Sequence, residues 1–529
     1  MRSLRLQLLA TLIVTGCLTP AIADAPRELA EVTFEQHEIA LGSAHHQTVL
    51  TGFFLGGAMA DLAVVSVDES GDRRLRIHTF EGGSWAPKLD EALRSEVLFV
   101  DVANIGGRDR LITYERGRLS WFDPESATEH TLVEVSTSYN ATDTREIPHV
   151  DITRDLNRDG FDDVVVPDLD GFWISTQSSN GSFTDAVKLG PPEPYLDEIG
   201  LEEKRRYGDV GITALTVPWY LSRVHEMDYD QDGRSDLVFW NEDHFDVHHQ
   251  DGRGSFEAVA ETFTTDVPFD SDGTYSLMFG FSDEGTFSLL FGFRKKTKRT
   301  VLHSLRDMTG DGVADLVTQS LEGRSLLKQR SVYEVHLGRA TPDGTVFARD
   351  VSTSIQPQGN PGQPVGYASQ SVQDFDGDGQ VDIMLQVVKT GFGGMIRALA
   401  AKSIALDLEF YRIEDGTYPD KPNATRKVKP GLHPFGRRGF FFPTVLLGDV
   451  NGDGRADLLA GKDWEELHVF FGVPGPDLFT RRPQEVAVAL PANERNARLV
   501  DLNEDGKQDL LVHHPSTTEP HRVTMLIAR

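Results

Sequence analysis

The most informative stretch of this chain is Asp449-Val-Asn-Gly-Asp-Gly-Arg-Ala-Asp457, and the apolar run Leu458-Leu-Ala460 follows it. Oxygen-bearing side chains occupy positions 1, 3, 5 and 9 of this stretch, and glycine occupies position 6. Alternate positions turn their oxygens to one side of a tight loop, and glycine permits a sharp reversal that a Cβ would resist. Because Ca²⁺ takes roughly six to eight oxygen ligands, the stretch predicts a cation-binding loop that leads into a strand.

The same pattern occurs in full six times along the chain. We predict that each copy binds Ca²⁺ through the side chains at positions 1, 3, 5 and 9 and through the backbone carbonyl at position 7. The expected cofactor is therefore structural Ca²⁺, with up to six ions. The predicted ligands, in chain order, are Asp155, Asn157, Asp159, Phe161 and Asp163; Asp228, Asp230, Asp232, Arg234 and Asp236; Asp307, Thr309, Asp311, Val313 and Asp315; Asp374, Asp376, Asp378, Gln380 and Asp382; Asp449, Asn451, Asp453, Arg455 and Asp457; and Asp501, Asn503, Asp505, Lys507 and Asp509.

An EF-hand shares the first half of this pattern, but it needs a Glu at position 12 and flanking helices. Position 12 carries no carboxylate in any of the six copies: it is Val166, Phe239, Thr318, Leu385, Ala460 and Val512. The residues that follow each loop are rich in β-branched and apolar types, which is typical of a strand. The sequence therefore excludes an EF-hand.

Two degenerate copies precede the six. Residues 56–62 keep only the last acidic position, and residues 104–111 place Arg110 where position 9 should be, so neither is expected to bind Ca²⁺. When they are counted, position 1 recurs eight times at spacings of 49 to 79 residues. Recurrence of this kind is typical of repeat architectures.

A turn of the form Gly-x-aromatic recurs behind the loops, as in Gly181-Ser-Phe183 and Gly254-Ser-Phe256. Each repeat then contains two hairpins, and four antiparallel strands make a propeller blade. The sequence therefore predicts an all-β fold, a β-propeller of four-stranded antiparallel blades, with eight blades favoured and seven as the alternative. Only 20 residues follow Asp509, so we expect the N-terminal strand Phe34–Leu41 to close the last blade and remove its exposed edge.

With these loops and turns the chain resembles the FG-GAP/VCBS repeat proteins, whose relatives include the β-propellers of integrin α subunits. The resemblance covers residues 32–529. It implies that Ca²⁺ lies in the first hairpin of each blade, on one rim of the disc. The chain departs from the family in two respects: its first two loops lack the ligands, and its repeat count is eight where seven is commoner.

The 529 residues carry 82 acidic and 52 basic side chains, a formal net charge of −30. Nucleic-acid binding needs a basic footprint, so this balance disfavours a nucleic-acid partner. The acidic surplus instead fits a demand for cations in the loops. Cys17 is the only cysteine in the sequence, so no disulfide can stabilise the mature body.

The N-terminus has the features of an export signal. Two arginines precede a mostly apolar segment, and Ala21-Ile22-Ala23 supplies small residues for cleavage, which predicts a signal peptide over residues 1–23. The alternative is the lipobox-like Val14-Thr-Gly-Cys17, in which Cys17 would carry a lipid anchor. We expect an exported protein, either periplasmic or secreted, or alternatively an outer-membrane lipoprotein. No apolar run reaches the roughly 18 residues of a transmembrane helix.

Five segments depart from the repeat: 190–220, 262–300, 350–370, 389–404 and 420–440. By position they are second turns or connections between blades, so they are expected on the face opposite the loops, where long irregular segments commonly bind partners. They contain basic and aromatic residues: Lys204-Arg-Arg206, Arg294–Arg299, Arg426–Lys429, Arg437-Arg438, Tyr195, Tyr207, Trp219, Tyr220, Phe440 and Phe441. We expect this insertion face to bind a protein or an acidic polysaccharide. Alternatively, the cations are solvated hairpin residues that pair with Asp.

Signatures of catalysis are sparse. The sequence has no nucleophile elbow, no metalloprotease motif and no P-loop. His149, His225 and His303 each precede a loop by a few residues and are expected on innermost strands near the central channel, where a His is more often a packing residue than a base. The leading hypothesis is a non-catalytic binding or scaffolding module. The alternative is a polysaccharide-active, lyase-like enzyme on a calcium-stabilised propeller.

Overall fold

The computed structural model describes residues 31–137, 145–168, 170–190, 223–272, 297–323, 329–357, 365–389, 406–414, 416–428, 444–491, 496–516 and 520–529. Thirty-five β-strands lie in these residues, and no α-helix does. The described part of the chain accordingly offers no helix that could span a membrane. Residues Val32–Arg529 form one compact unit.

The strands are short and follow one another along the whole unit. Strand β1 spans Phe34–Gly42. The next sixteen are β2 (His46–Gly52), β3 (Asp61–Val67), β4 (Arg73–Glu81), β5 (Ser84–Ala92), β6 (Phe99–Asn104), β7 (Asp109–Glu115), β8 (Arg118–Asp123), β9 (Thr128–Val133), β10 (Thr153–Arg154), β11 (Asp163–Asp168), β12 (Gly171–Ser175), β13 (Val187–Leu189), β14 (His225–Met227), β15 (Asp236–Asn241), β16 (His244–His248) and β17 (Glu261–Phe263).

The second half of the unit continues the series. Its strands are β18 (Ser271–Asp272), β19 (Thr297–Arg306), β20 (Asp315–Gly323), β21 (Gln329–His336), β22 (Gly338–Thr341), β23 (Gly344–Phe347), β24 (Thr353–Ile355), β25 (Val365–Gln373), β26 (Asp382–Lys389), β27 (Leu406–Tyr411), β28 (Ala424–Val428), β29 (Val445–Gly448), β30 (Asp457–Gly461), β31 (Glu466–Phe470), β32 (Gln484–Ala487), β33 (Ala497–Val500), β34 (Asp509–His514) and β35 (His521–Ala528).

These strands form eight antiparallel blades. Blades 1 to 4 are β2-β3-β4-β5, β6-β7-β8-β9, β10-β11-β12-β13 and β14-β15-β16-β17, and blades 6 and 7 are β25-β26-β27-β28 and β29-β30-β31-β32. Blade 5 is β19-β20-β21-β24 with β18 added in parallel beside β19, and the separate hairpin β22-β23 extends its third turn. Blade 8 is β33-β34-β35-β1. The eight-bladed prediction is therefore confirmed.

Apolar side chains fill every junction between neighbouring blades. The second strand of each blade is buried on both faces, so it appears in the sequence as a continuous apolar run rather than an alternating one. In β3, Leu62 and Val64 pack with blade 8, whereas Ala63 and Val65 pack with blade 2, because successive side chains leave a strand on opposite faces. Equivalent clusters join the remaining pairs and close the ring.

The ends of the unit meet in blade 8. Strand β1 pairs antiparallel with β35 from Phe34 opposite Ala528 to Gly42 opposite His521. The backbone N–H of Arg529 also donates to the carbonyl oxygen of Thr33 at 2.9 Å. The predicted closure by the N-terminal strand is confirmed.

Chain direction places the Asp-rich loops, which are first turns, and the Gly-aromatic turns, which are third turns, on one face. The five segments that depart from the repeat contain strand residues as well as connections, and residues 350–352 and 420–423 lie in third turns on the loop face, which corrects the prediction that all five segments lie on the opposite face. Strands occupy residues 261–263, 297–306, 353–355, 365–373 and 424–428 of or around these segments, and residue 389 is the last residue of a further strand. Most of the remaining segment residues, including Lys204 to Arg206, Lys295, Lys296 and Arg437, lie outside the described residues, as do 1–23 and Cys17.

Closure by β1 should contribute strongly to stability. A chain that begins at residue 43 lacks the eight pairings with β35 and leaves the edge of that strand free to associate. With about 1 kcal/mol per lost backbone hydrogen bond, we expect a fall of several kcal/mol in the free energy of unfolding, together with aggregation.

The control is a chain that begins at Glu31, which retains β1 and should melt as the full chain does. Calorimetry and light scattering would measure both properties. Equal melting of the two truncated chains would contradict this role for β1.

Candidate cation-binding loops

Each Asp-rich loop is organised by its own backbone amides. In all six loops the position-1 carboxylate accepts the N–H of the position-6 glycine, at 2.9 Å from Gly160 to Asp155 and 2.7 Å from Gly454 to Asp449. The position-5 carboxylate accepts the N–H of position 7, at 3.0 Å from Arg455 to Asp453. These bonds fold the acidic side chains back over the loop and gather them on one side.

Two positions of each loop adopt left-handed backbone conformations. The glycines at position 6 have φ between +82° and +89°, where a Cβ would be strained. Position 4 is also left-handed, and it is glycine in three loops but Arg158, Gln231 and Glu504 in the others. The sequence interpretation missed this second position, although glycine at position 4 in half of the copies was the available signal.

The position-9 aspartate is the first residue of the second strand and connects two turns. Asp457 Oδ2 accepts the N–H of Val450 at 3.0 Å, and its Oδ1 accepts the N–H of Gly472, at the start of the third turn, at 2.8 Å. Equivalent bonds recur in all six loops, with the difference that in blade 8 the second donor, Ala528, is the last residue of β35. We call this arrangement the clamp. Each Oδ1 accepts one backbone N–H and keeps a second lone pair that a cation could use.

Burial makes the clamp carboxylates costly to ionise. It raises the pKa of Asp163, Asp382 and Asp457 to about 7 and that of Asp315 and Asp509 to about 6, because the charged form loses its hydration. The donated backbone N–H groups oppose this shift, and repulsion from the other carboxylates of the loop adds to it. A cation in the loop would favour the charged form.

Three carboxylates come close together in each of the two loops that have four. Ligand atoms of Asp228, Asp230 and Asp232 lie within 4.8 Å of one another, and so do those of Asp374, Asp376 and Asp382. At position 3, the buried Asp376 Oδ1 and Thr309 Oγ1 have no hydrogen-bond partner within the described residues. The side-chain oxygens of the six loops are of the type that Ca²⁺ prefers, and Ca²⁺ binding by these loops stays a prediction. Whether the position-7 carbonyls take part stays a prediction.

A basic side chain lies beside position 3 in both of these loops. Arg412 Nη1 is 2.9 Å from Asp376 Oδ2, and His249 Nδ1 is 3.8 Å from Asp230 Oδ2. Each basic residue immediately precedes the residue whose N–H contacts Oδ1 of the clamp. In the other loops position 3 is Asn or Thr, and the corresponding residue is neutral: Thr176, Leu337, Phe471 and Ile527.

Sequence analysis missed both basic residues. They are separated from position 9 by 13 residues in one blade and 30 in the other, so no fixed spacing marks them. The pairing of each basic residue with the position-3 aspartate is recognised only from the hydrogen bond between the position-9 carboxylate and the residue that follows the basic one.

The degenerate loops replace ligands with other contacts. In blade 1, Asp61 keeps half of the clamp, and its Oδ2 accepts the N–H of Leu55 at 2.8 Å. In blade 2, the guanidinium of Arg110 lies 4.2 Å from the centroid of the Trp121 ring. Two glutamines also tie loops of neighbouring blades, since the Nε2 groups of Gln177 and Gln250 each donate to a backbone carbonyl of the preceding blade's loop.

Residues 445–512, which include the loops of blades 7 and 8, match the family model described as an FG-GAP-like repeat. The chain carries an FG-GAP-like repeat. A comparison with curated protein sequences gives no match. The family match therefore covers one part of a ring in which the same loop geometry recurs six times.

Solved structures similar to this chain include a biofilm matrix protein, a lyase and a WD40 domain. The biofilm matrix protein Bap1 of V. cholerae is 12% identical over 94% of this chain and 91% of that chain, with a TM-score of 0.31. Rhamnogalacturonan lyase YesW is 13% identical over 68% of this chain and 59% of that chain, with a TM-score of 0.28. The WD40 domain of SCAP from fission yeast is 8% identical over 94% of each chain, with a TM-score of 0.33. Similarity at this level says nothing about what the present chain binds.

The three histidines singled out in the sequence lie in different surroundings. His225 is buried on β14 with its Nε2 3.4 Å from Asp272 Oδ1, and His303 lies on β19. Burial lowers the pKa of His303 to about 4, and His225 adds to the shift. His149 is different, because its side chain is 40% exposed while its Nε2 lies 2.8 Å from the buried Asp101 Oδ1.

The clamp should stabilise the FG-GAP-like repeat whether or not a cation is bound. In excess chelator, Asp457→Ala leaves two buried N–H groups without an acceptor, at about 1–3 kcal/mol each. We therefore expect the free energy of unfolding to fall by about 2–5 kcal/mol.

The matched control in the same loop is Asp453→Ala, which removes an exposed carboxylate and should cost less than about 1 kcal/mol in chelator. Denaturant unfolding in EDTA would measure both variants. Equal losses would mean that the position-9 carboxylate acts only through a bound cation.

Proposed function

We propose that this chain is an exported, Ca²⁺-stabilised β-propeller that binds a protein or an acidic glycan through its insertion face. The observation that supports this proposal is the division between the two faces. Clamped acidic loops occupy one face, and the strand order leaves second turns and blade connections for the other, where most of the sequence insertions are expected. Long irregular segments on a rigid scaffold are a common location for binding sites.

The charge of the loops supports a structural role for Ca²⁺. The six loops bring 20 aspartates to ligand positions in a chain of net charge −30, and their repulsion opposes folding. The loops also lie at blade junctions: the Gln508 N–H donates to the Asp449 carbonyl at 2.7 Å, and the Ala456 N–H donates to the Phe375 carbonyl at 3.0 Å. An ion in each loop would therefore strengthen contacts between blades as well as the loop itself.

Export is supported by the sequence of residues 1–23, in which cleavage after Ala23 and lipidation of Cys17 are the two alternatives. Cleavage would give a periplasmic or secreted protein, and lipidation would give an outer-membrane lipoprotein. The mass of the mature N-terminal peptide distinguishes the two. A mature protein that still begins at Met1 would refute export by this route.

Removal of Ca²⁺ should lower the melting temperature. A ligand that binds only the folded state stabilises it by about 2.7 kcal/mol per site at a hundredfold excess over Kd. Loss of several sites to EDTA should therefore lower Tm by at least about 5 °C. Ca²⁺ should restore Tm more fully than Mg²⁺, because Mg²⁺ demands a strict octahedral shell and keeps its waters. An unchanged melting curve in EDTA would refute a structural role for the ion.

Binding should depend on the cations of the insertion face. Lys298 is exposed in β19, at the end of the strand that lies away from the loops. Reversing Lys295, Lys296 and Lys298 to Glu should weaken binding to an acidic polysaccharide such as polygalacturonate, and added salt should weaken it as well. The melting temperature should hold, because the loops lie well beyond a Debye length of about 8 Å.

The matched single variants are Lys298→Glu on the insertion face and Arg253→Glu, an exposed cation on the loop face. Binding assays at two salt concentrations would compare them. Weaker binding by Arg253→Glu alone would move the site to the loop face. Binding that ignores both salt and all of these substitutions would exclude an electrostatic site on either face.

A second candidate function, a lyase-like polysaccharide-active enzyme, is favoured by His149. An exposed imidazole oriented by the buried Asp101 has the form of a general base. Incubation with acidic polysaccharides, with detection of unsaturated products by ultraviolet absorbance, tests this function. Formation of unsaturated products by the unmodified chain, abolished by His149→Ala, would establish the enzyme function. If none of the acidic polysaccharides yields such products, the binding function remains as the proposal.

A further inference from the structure

We infer that the blade-4 loop contains a binding site for a transition-metal cation, with Zn²⁺ as the representative ion, in which His249 is a ligand. The ligand atoms of Asp230, Asp236 and His249 lie within 4.8 Å of one another. This site goes beyond the proposed function, because neither Ca²⁺ in the other loops nor a partner on the insertion face is needed for it.

The distances suit a small tetrahedral ion. His249 Nδ1 is 3.5 Å from Asp236 Oδ1 and 3.8 Å from Asp230 Oδ2, which is too long for hydrogen bonds. Zinc bonds of about 2.0–2.2 Å place the donors of a tetrahedral site about 3.4 Å apart. One ion between these three atoms would therefore need only small adjustments, with water or a further loop carboxylate as the fourth ligand.

The state of the imidazole is a second, independent observation. His249 Nδ1 is buried and has no hydrogen-bond partner within the described chain. The other ring nitrogen, Nε2, lies 2.9 Å from Glu261 Oε2. Metal-binding histidines usually donate their second ring N–H to a carboxylate, which fixes the tautomer and directs the free nitrogen to the metal. Glu261 is placed to do this from β17, the neighbouring strand.

The carboxylates retain capacity for an ion. Asp236 Oδ1 accepts one backbone N–H, from Gln250 at 3.0 Å, which leaves it a lone pair. Asp230 accepts the N–H of Asp232 through Oδ1, so its Oδ2 can face the metal. Arg234 pairs with Asp232 and so draws one carboxylate away from an all-oxygen Ca²⁺ shell.

A nitrogen donor changes which ion the loop prefers. Carboxylate and carbonyl oxygens suit Ca²⁺ and Mg²⁺, whereas imidazole suits Zn²⁺, Cu²⁺ and Ni²⁺. The corresponding residue of blade 6 is Arg412, which pairs directly with Asp376 and cannot bind a metal. The competing explanation is that His249, once protonated, is only the blade-4 counterpart of that ion pair.

Zinc titration of the full chain in excess Ca²⁺ separates the two explanations. Isothermal calorimetry should show a Zn²⁺ site that His249→Gln weakens by at least about 100-fold, and Glu261→Gln should weaken it by about 10–100-fold. Co²⁺ in place of Zn²⁺ should give tetrahedral visible bands that His249→Gln removes.

Two control variants fix the assignment. His244→Gln, in the same blade, changes an imidazole whose Nδ1 and Nε2 already lie beside Asp243 and Asp246, and it should leave the titration unchanged. His468→Gln tests the other mixed cluster of the described chain, Glu466, His468 and Glu485, where Lys462 already pairs with Glu466. Melting curves in Ca²⁺ confirm that each variant is folded. A Zn²⁺ site that survives His249→Gln, or no Zn²⁺ binding at all in excess Ca²⁺, would overturn the inference.

Discussion

The interaction on which this structure depends is the burial of one carboxylate at the start of a second strand. Each clamp carboxylate accepts an N–H from the first turn of its blade and another from the end of the third strand or the turn after it, as Asp457 does with Val450 and Gly472. Two turns that are separate in the sequence are thereby held to one point. Because the carboxylate lies between apolar strands, losing either bond would leave a buried polar group unsatisfied, which is costly.

The clamp creates an electrostatic problem that the loops solve in different ways. Its carboxylate lies near two or three others, and burial already raises its pKa. Four loops limit the repulsion with a neutral Asn or Thr at position 3. The other two keep Asp there and place Arg412 or His249 beside it. Among the six loops, each of the two that have a fourth carboxylate therefore also has a basic side chain beside it. The blades therefore share one backbone geometry, and we expect their cation chemistry to differ.

The sequence was sufficient for the ring because the decisive signals are local. Six loops with glycine at position 6, each followed by a doubly buried strand, predict blades, and the short C-terminal remainder after Asp509 predicts closure by β1. The contacts that distinguish one loop from another are not local. His249 and Arg412 approach position 3 only because the clamp brings the third turn beside the first, and insertions change their distance along the chain. Similarly, the exposure of His149 beside Asp101 depends on how blades 2 and 3 pack.

The clamp also explains why the two faces of the ring differ. It fixes the distance between the first turn and the start of the third turn. Insertions in the third turn are therefore tolerated only after the residue whose N–H the position-9 carboxylate accepts. Blade 5 shows this, because its extra hairpin β22-β23 begins at Gly338, the residue whose N–H the Asp315 clamp holds. Glycine fits that position since a Cβ would lie 2.0 Å from the Ala314 carbonyl oxygen. Second turns and blade connections have no such constraint. Segments that can vary in length without loss of a clamp can change to suit a binding partner. The turns of the loop face cannot vary in this way, because their hydrogen bonds hold the blades together.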